Sequence, residues 1–427
     1  MVDFNFNMGD IVRFRLALDE VEGLVLDSTE ENIVLIKLES GYNIGLSKEN
    51  ILGFKILKKY NEEEKIDFEI TKDKKLDNVG MIITGGTIAA KYDSKTGGAK
   101  WVAGISEFHS YYPEMFNIAN ISLIESPFLV ASESMSSEHW IKIAEKAKEM
   151  IDDKNIKGVV ITHGTDTLHY TAYALSFFLR NLNKPVVLTY SQRSIDRGSS
   201  DANLNLQCAI RMALSDSSGV FIVGHSSMND DFCFAIRGTK ARKMHTSRRD
   251  AFKSVNDIPV AKVWPDKVEF IGNYKSRNEG KVKLDLEFSD KVALVKVYPG
   301  QDPSILDFYA LKYKGIVLEG TGFGHLPTSE QNNWMPRLKK HIRNGLVVCI
   351  VSQCIFGRVN PYVYSPAREL LDAGAIYLED MLAETAFVKL SWVLGHYGWK
   401  AYVKEKMLEN LAGEINEKDI IQKLDIY

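Results

Sequence analysis

Two short polar segments combine glycine with threonine, and each directly follows an apolar run. The first is TGGTIA at residues 84–89 and the second is THGTDT at residues 162–167. Threonine hydroxyls can act as nucleophiles, and backbone N–H groups at such turns can stabilise an oxyanion. The same residue types are also preferred in ordinary strand-to-helix turns, where threonine and aspartate cap the helix. Spacing alone therefore leaves a catalytic and a structural interpretation open.

A hydroxyl nucleophile needs a base, and the sequence offers a lysine for this role. Lys243 lies in the polar segment RGTKARKMHTSRRD at residues 237–250. A lysine with a lowered pKa can accept a proton, although most cations in such a segment are solvated. The two turns match neither the GxxxxGK[ST] nor the GxGxxG pattern, so neither predicts a nucleotide site. His163 and His169 lack a metal-ligand spacing, and we predict no metal in this chain.

Alternating strands and helices must position these turns. The predicted strands are Val79–Thr84, Gly158–Thr162, Pro185–Tyr190 and Gly219–Val223, and the predicted helices are Ser136–Ile151, Thr167–Asn181 and Asp201–Ser215. Apolar strands that alternate with helices indicate an α/β fold with mostly parallel sheets. Ligands bind beyond the carboxyl ends of the strands in such sheets, and both turns lie at strand ends.

The chain divides into regions of different pattern. Short strands separated by Gly, Ser and Asp predict a small N-terminal β-barrel of SH3-like type, and a charged connector follows it. We predict barrel and connector at 1–75, a first α/β domain at 76–275, a linker at 276–290 and a second α/β domain at 291–427. Residues 1–60 contain seven Lys and Arg against ten Asp and Glu. A net-acidic module is a poor phosphate binder, so we expect it to dock to a protein partner.

Composition is that of a globular protein with two or three domains. Of 427 residues, 45% are hydrophobic and 26% are charged, and the net charge of −3 excludes a nucleic-acid binder acting by bulk charge alone. No apolar run approaches the ~20 residues of a membrane span, and the N-terminal residues lack a signal-peptide pattern. The four cysteines form no CxxC pair, so we expect reduced thiols and a cytoplasmic location without membrane attachment.

The two turns and the lysine segment together resemble the L-asparaginase family. The resemblance covers residue 79 to the C-terminus and rests on motifs in the family's order. These are TGGTIA at 84–89, SESM at 132–135, THGTDT at 162–167, KMH at 243–245 followed by DAF at 250–252, and GTGFG at 320–324. It implies a two-domain asparaginase-like α/β body that hydrolyses a primary amide.

A small β-domain ahead of such a body is similar to the layout of the glutaminase subunits of archaeal tRNA-dependent amidotransferases. That resemblance implies hydrolysis of glutamine and transfer of the ammonia to a separate partner, the E subunit. The E subunit would bind Glu-tRNA(Gln), ATP and Mg²⁺ and form Gln-tRNA(Gln). The resemblance also implies no cofactor in this chain, and a homodimer of this chain within a two-plus-two heterotetramer.

The resemblance assigns roles residue by residue. Thr87 matches the nucleophile, and Thr165, Asp166 and Lys243 match the second threonine and its activating pair. A glutamine substrate also carries an α-ammonium and an α-carboxylate. Asp166 and Glu133 are expected to bind the ammonium, and Ser132 the carboxylate. The family's tyrosine on the loop after the first turn has only Tyr92 as a counterpart here, and its role stays open.

Two other functions remain open at this point. An independent L-asparaginase with an added N-terminal domain would use the same residues, because asparagine and glutamine differ by one methylene. A scaffold without catalysis could retain the fold, but it would have no need of Thr87, Thr165, Asp166 and Lys243 together.

Overall fold

The computed structural model describes residues 4–28, 30–59, 73–93, 98–101, 111–328 and 332–420, with the backbone alone described at 92, 93 and 98–101. Most of the predicted charged connector and the side chain of Tyr92 lie outside the described residues. Within the described ranges, no helix combines the length and the apolar character needed to cross a membrane.

Residues 11–58 form a five-stranded antiparallel sheet. Its strands are β1 (Ile11–Arg15), β2 (Glu20–Val25), β3 (Ile33–Lys37), β4 (Asn43–Ser47) and β5 (Gly53–Lys58). Their order across the sheet is β4-β3-β2-β1-β5. Val12 and Phe14 alternate with exposed residues along β1 and pack with Ile36 in the core of the sheet.

A larger sheet forms the centre of the first α/β region. The strands of this region are β6 (Asn78–Ile83), β7 (Ala90–Asp93), β8 (Gly98–Trp101), β9 (Asn120–Glu125), β10 (Ile156–Thr162), β11 (Leu179–Arg180), β12 (Pro185–Thr189), β13 (Gly219–His225), β14 (Cys233–Arg237), β15 (Ala241–Lys243), β16 (Phe252–Ser254), β17 (Ala261–Val263) and β18 (Val268–Phe270). Eight of them pair in the order β18-β17-β14-β13-β12-β10-β6-β9.

The large sheet is mixed. Strands β9, β6, β10, β12 and β13 pair in parallel, as predicted, whereas β14, β17 and β18 extend the sheet by antiparallel pairing. The prediction of a mostly parallel sheet therefore holds for the half that carries the two turns. The β13–β14 and β17–β18 connections are too short to contain the crossover helix that parallel pairing requires, and the longer β14–β17 connection instead contains a 3₁₀ turn and the strands β15 and β16.

Three helices cover both faces of this sheet: α1 (Ser137–Asp152), α2 (Leu168–Phe178) and α3 (Ala202–Leu214). Successive strand residues point to opposite faces, so Val159 and Ile161 pack with α1 and α2 while Val160 packs with α3. The three predicted helices are confirmed, with ends shifted by up to three residues.

The second α/β region has a four-stranded parallel sheet. Its order is β20-β21-β22-β23, and one further short strand, β19, pairs with β11. The strands are β19 (Lys283–Leu284), β20 (Val292–Lys296), β21 (Gly315–Gly320), β22 (Val347–Ser352) and β23 (Ile376–Tyr377), and the helices are α4 (Ile305–Lys312), α5 (Met335–Arg343), α6 (Ser365–Asp372), α7 (Ala383–Gly395) and α8 (Val403–Leu408). Helix α7 packs against α2, where the rings of Trp392 and Phe177 stack 5.7 Å apart.

Candidate active site

The two threonine-glycine turns meet because they follow neighbouring parallel strands. Ile83 at the end of β6 is opposite Thr162 at the end of β10. The Thr84 hydroxyl donates a hydrogen bond of 2.8 Å to the Thr162 carbonyl, which joins the strands at the point where they end. Both turns therefore open onto the same edge of the sheet, where ligands of α/β proteins bind.

Glycine lets the first turn lie against the second. Gly85 and Gly86 have φ of +112° and +82°. A Cβ on Gly86 would lie 2.6 Å from the carbonyl carbon of His163 and 2.7 Å from the Cα of Gly164. No side chain fits at this contact. The turn then delivers Thr87, which is partly exposed and begins a 3₁₀ turn with a buried Ile88.

The second turn is held by a buried neutral histidine. His163 is fully buried, and burial lowers its pKa to about 4. Its Nδ1 donates to the Gly164 carbonyl at 2.7 Å, and the Thr171 hydroxyl on α2 donates to its Nε2 at 2.7 Å. Both ring nitrogens are thus used to hold the turn.

Lys243 is brought to the second turn from a different part of the chain. It ends β15, which pairs with β16 so that Lys243 is opposite Phe252. Its Nζ donates to Thr165 Oγ1 at 2.8 Å and to Asp166 Oδ1 at 2.7 Å. The lysine side chain is 12% exposed and the Asp166 side chain 61%. The ammonium therefore lies at the mouth of the crevice with one hydroxyl and one carboxylate as partners.

The strand that carries Lys243 is held by the second α/β region. Lys240 forms a buried ion pair of 2.7 Å with Asp380. Arg242, whose side chain is partly exposed, forms an ion pair of 2.7 Å with Glu384 at the start of α7. Burial lowers the pKa of Lys240, although the Asp380 carboxylate opposes that shift. Local sequence patterns give no signal for these pairs, because about 140 residues separate the partners.

The predicted substrate-binding residues lie beside the second turn. Ser132 is buried, and its carbonyl accepts a hydrogen bond of 2.6 Å from the Thr167 hydroxyl. Its Oγ lies 2.8 Å from where a Cβ on Gly164 would be. Glu133 is exposed, and no hydrogen bond or ion pair between described residues joins it to the other predicted site residues. The structure thus brings Ser132 to the crevice wall and leaves Glu133 at the surface.

A metal centre is not evident around these residues. Within the ranges that the structure describes, no three His, Cys, Asp or Glu side chains are gathered as metal ligands. The groups at the crevice are instead hydroxyls, one carboxylate and one ammonium. That set can carry out nucleophilic and proton-transfer chemistry on an amide.

Comparison with known proteins gives the class of the body. Residues 78–276 match the family model described as Asparaginase, N-terminal, and residues 291–407 match the Glutaminase/Asparaginase C-terminal domain. The thermostable L-asparaginase from Thermococcus kodakarensis is similar over 80% of this chain and 100% of its own, with a TM-score of 0.71 and 31% identity. L-asparaginase I from Vibrio cholerae covers 80% of this chain and 99% of its own, with a TM-score of 0.68 and 28% identity.

Relatives of nearly full length include the N-terminal sheet. Residues 6–57 match the model described as GatD N-terminal domain. The D subunit of glutamyl-tRNA(Gln) amidotransferase from Thermococcus kodakarensis is 50% identical over 96% of this chain and 94% of its own length. The protein of the same name from Pyrococcus furiosus is 48% identical over 96% and 94%. The chain belongs to the family of glutamyl-tRNA(Gln) amidotransferase D subunits. The prediction of an amidotransferase component with an asparaginase-like body is thereby confirmed.

Proposed function

We propose that this chain hydrolyses glutamine to glutamate and ammonia at the crevice formed by Thr87, Thr165, Asp166 and Lys243. The observation that carries the proposal is the position of Lys243, whose Nζ lies 2.8 Å from Thr165 Oγ1 and 2.7 Å from Asp166 Oδ1. The Lys243 ammonium is hydrogen-bonded to a hydroxyl and a carboxylate, and the turn that carries Thr87 lies next to them. Such a set of groups can transfer protons to and from an amide while a nucleophile attacks it.

The reaction has two halves. The Thr87 oxygen attacks the side-chain amide carbon, and backbone N–H groups of the turns stabilise the oxyanion. The carbon–nitrogen bond breaks, the amide nitrogen takes up a proton that originates from the Thr87 hydroxyl, and ammonia leaves. Water then attacks the carbonyl carbon of the threonine ester, the ester C–O bond breaks, a proton from that water passes to the Thr87 oxygen, and glutamate leaves. Thr165, with Lys243 and Asp166, activates the water and relays the protons.

The charged ends of the substrate need partners in the crevice. Ser132 binds the α-carboxylate, and Asp166 with Glu133 binds the α-ammonium. Ser132 is already buried beside Gly164, whereas the exposed Glu133 has to turn toward the crevice when the substrate is bound.

The ammonia is used by a second subunit of the amidotransferase complex. It passes to the E subunit, which activates Glu-tRNA(Gln) with ATP and Mg²⁺ and contacts most of the tRNA. Two copies of this chain form a dimer within a two-plus-two assembly in the cytoplasm. We propose an SH3-like barrel and connector at 1–75, α/β domains at 76–275 and 291–427, and a linker at 276–290.

Ammonia release tests the proposal. The purified chain is given glutamine and, separately, asparagine, first alone and then with the E subunit and Glu-tRNA(Gln). We expect glutamine turnover that rises when the partner and the tRNA are added, and loss of that turnover in Thr87→Ala. Rapid asparagine turnover that does not change when the E subunit and Glu-tRNA(Gln) are added would identify an independent asparaginase. Ammonia release that is unchanged in Thr87→Ala would exclude Thr87 as the nucleophile.

A further inference from the structure

A cross-strand pair of the N-terminal sheet is buried against the first α/β region. Lys37 at the end of β3 is opposite Asn43 at the start of β4. Lys37 is 6% exposed and Asn43 is 4% exposed. Lysine and asparagine are rarely buried to this extent unless they have specific partners. The side-chain partners described below all lie outside the N-terminal sheet, so the pair joins the sheet to the catalytic body.

Lys37 reaches the turn that carries Thr87 through one intermediate side chain. Its Nζ donates to the Tyr111 carbonyl, lies 3.6 Å from a Glu114 carboxylate oxygen and lies 5.4 Å from the centre of the Tyr112 ring. The Tyr112 hydroxyl donates to the Ile88 carbonyl at 2.9 Å. Ile88 directly follows Thr87 in the chain. The lysine therefore fixes the tyrosine that holds one side of the turn.

Asn43 reaches the other side of the same turn. Its Nδ2 donates to the Ile195 carbonyl at 2.8 Å and to the Arg197 carbonyl at 3.3 Å, and its own backbone carbonyl accepts from Ser199 N–H at 2.8 Å. The Ile195 N–H then donates to the Ala90 carbonyl at 3.3 Å. Ala90 is three residues after Thr87. The segment at 195–199 thus connects the N-terminal sheet to the end of the nucleophile turn.

The same hairpin also reaches the loop after Lys243. The Arg249 guanidinium donates to the Ser199 carbonyl at 2.5 Å and to the Tyr42 hydroxyl at 3.4 Å. Arg249 belongs to the connection between β15 and β16, and β15 carries Lys243. The β3–β4 hairpin is therefore hydrogen-bonded to segments that adjoin both the Thr87 turn and the strand that carries Lys243.

We propose that the Lys37–Asn43 pair positions the Thr87 turn, so that the N-terminal sheet sets the rate at which this chain hydrolyses glutamine. The turn needs such support, because Gly85 and Gly86 leave its backbone with few intrinsic restraints. Burial lowers the pKa of Lys37, which means that the ammonium is held at a cost in free energy that an apolar residue would avoid. A binding partner that shifts the sheet would change the position of Thr87.

Three variants test the proposal, which rests on the proposed glutaminase function. Lys37→Met removes the positive charge. Asn43→Asp replaces the amide nitrogen with an oxygen that faces the carbonyls of Ile195 and Arg197. Tyr112→Phe removes only the hydroxyl that donates to the Ile88 carbonyl. We expect each to lower kcat for glutamine by about 10- to 100-fold, as misplacement of a reacting group by about 1 Å does. The KM should stay within about twofold, since Ser132 and Asp166 lie on other elements.

Matched controls separate positioning from folding. Lys55→Met and Asn32→Asp make the same chemical changes at exposed positions of the N-terminal region and should leave kcat unchanged. The double variant Lys37→Met with Tyr112→Phe should lose little more than the worse single variant, because both act on one path. Urea midpoints measure any loss of stability. Tyr112→Phe should destabilise the chain least, because it removes a single hydroxyl group.

The outcomes of this test are distinct. Unchanged kcat in all three variants, together with loss of activity in Thr87→Ala, would overturn the positioning role and leave the glutaminase function intact. A parallel rise in KM and fall in stability, without a change in kcat, would also overturn it. Absence of glutamine hydrolysis by the wild-type chain with its partner and tRNA would instead overturn the proposed function.

Discussion

Lys243 is the residue at which charge, hydroxyl and carboxylate meet. We predict that Lys243→Met lowers kcat for glutamine by about 10²- to 10⁴-fold, the usual contribution of a group that transfers protons. The side chain is partly exposed, and its hydrogen bonds to described residues all lie at the crevice, so the fold should persist. Ammonia release and a urea midpoint measure the two effects. Lys142→Met, at an exposed position on α1, is the control and should retain full activity.

His163 predicts a pH dependence of stability. Its pKa falls from 6.5 to about 4 on folding because the ring is buried. The unfolded chain therefore binds a proton more readily, and the stabilisation is complete above about pH 6.5 and lost as the pH falls toward 4. The full loss is on the order of 3 kcal/mol. Urea unfolding at several pH values should give this slope.

The control for that slope is His163→Asn. An asparagine can still donate to the Gly164 carbonyl, but it does not titrate. The variant should lose the part of the pH dependence that His163 contributes. Identical slopes in the variant and the wild type would show that His163 is not the titrating group.

At the scale of the element, the first turn depends on glycine for two separate reasons. Gly86 has φ of +82° and ψ of +166°, a conformation almost confined to glycine, and it also contacts the backbone of the second turn. We predict that Gly86→Ala lowers both stability and kcat, because the added Cβ pushes the two turns apart. Urea unfolding and ammonia release from glutamine measure these losses.

A variant at Gly300 is the control that separates backbone strain from the loss of contact between the turns. Gly300 has φ of +81°, but a Cβ there would meet nothing within 4 Å. Gly300→Ala should cost roughly 1–2 kcal/mol of stability from the backbone conformation and leave kcat unchanged. Equal effects on kcat in both glycine variants would contradict the contact between the turns.

Elements that depend on local pattern could be predicted from the sequence. The apolar runs before residues 84 and 162 predict two strands, and their parallel pairing places both turns at one edge, as the structure has it. The antiparallel strands β17 and β18 carry no comparable signal, because each has three residues and its pairing depends on tertiary contacts. Residue types alone also could not place Lys243, since its partners precede it by 77 and 78 residues.

At the scale of the whole molecule, the crevice depends on three parts of the chain. The turns with Thr87 and Thr165 belong to the first α/β region, and the N-terminal sheet is bonded beside the first turn. The strand with Lys243 is tied to the second α/β region, because Lys240 is paired with Asp380 and Arg242 with Glu384. Loss of contact between the α/β regions should therefore displace the lysine as well as destabilise the fold.

Asp380→Asn tests this dependence. It leaves the buried Lys240 ammonium without its charged partner, which should cost about 3–5 kcal/mol of unfolding free energy and lower kcat through displacement of β15. Arg337→Met, which breaks the exposed pair with Asp307, should change stability far less. Adding Lys240→Met to Asp380→Asn should recover stability, because it removes the unpaired charge. Urea unfolding of the four proteins measures these differences, and similar losses in Asp380→Asn and Arg337→Met would contradict a structural role for the buried pair.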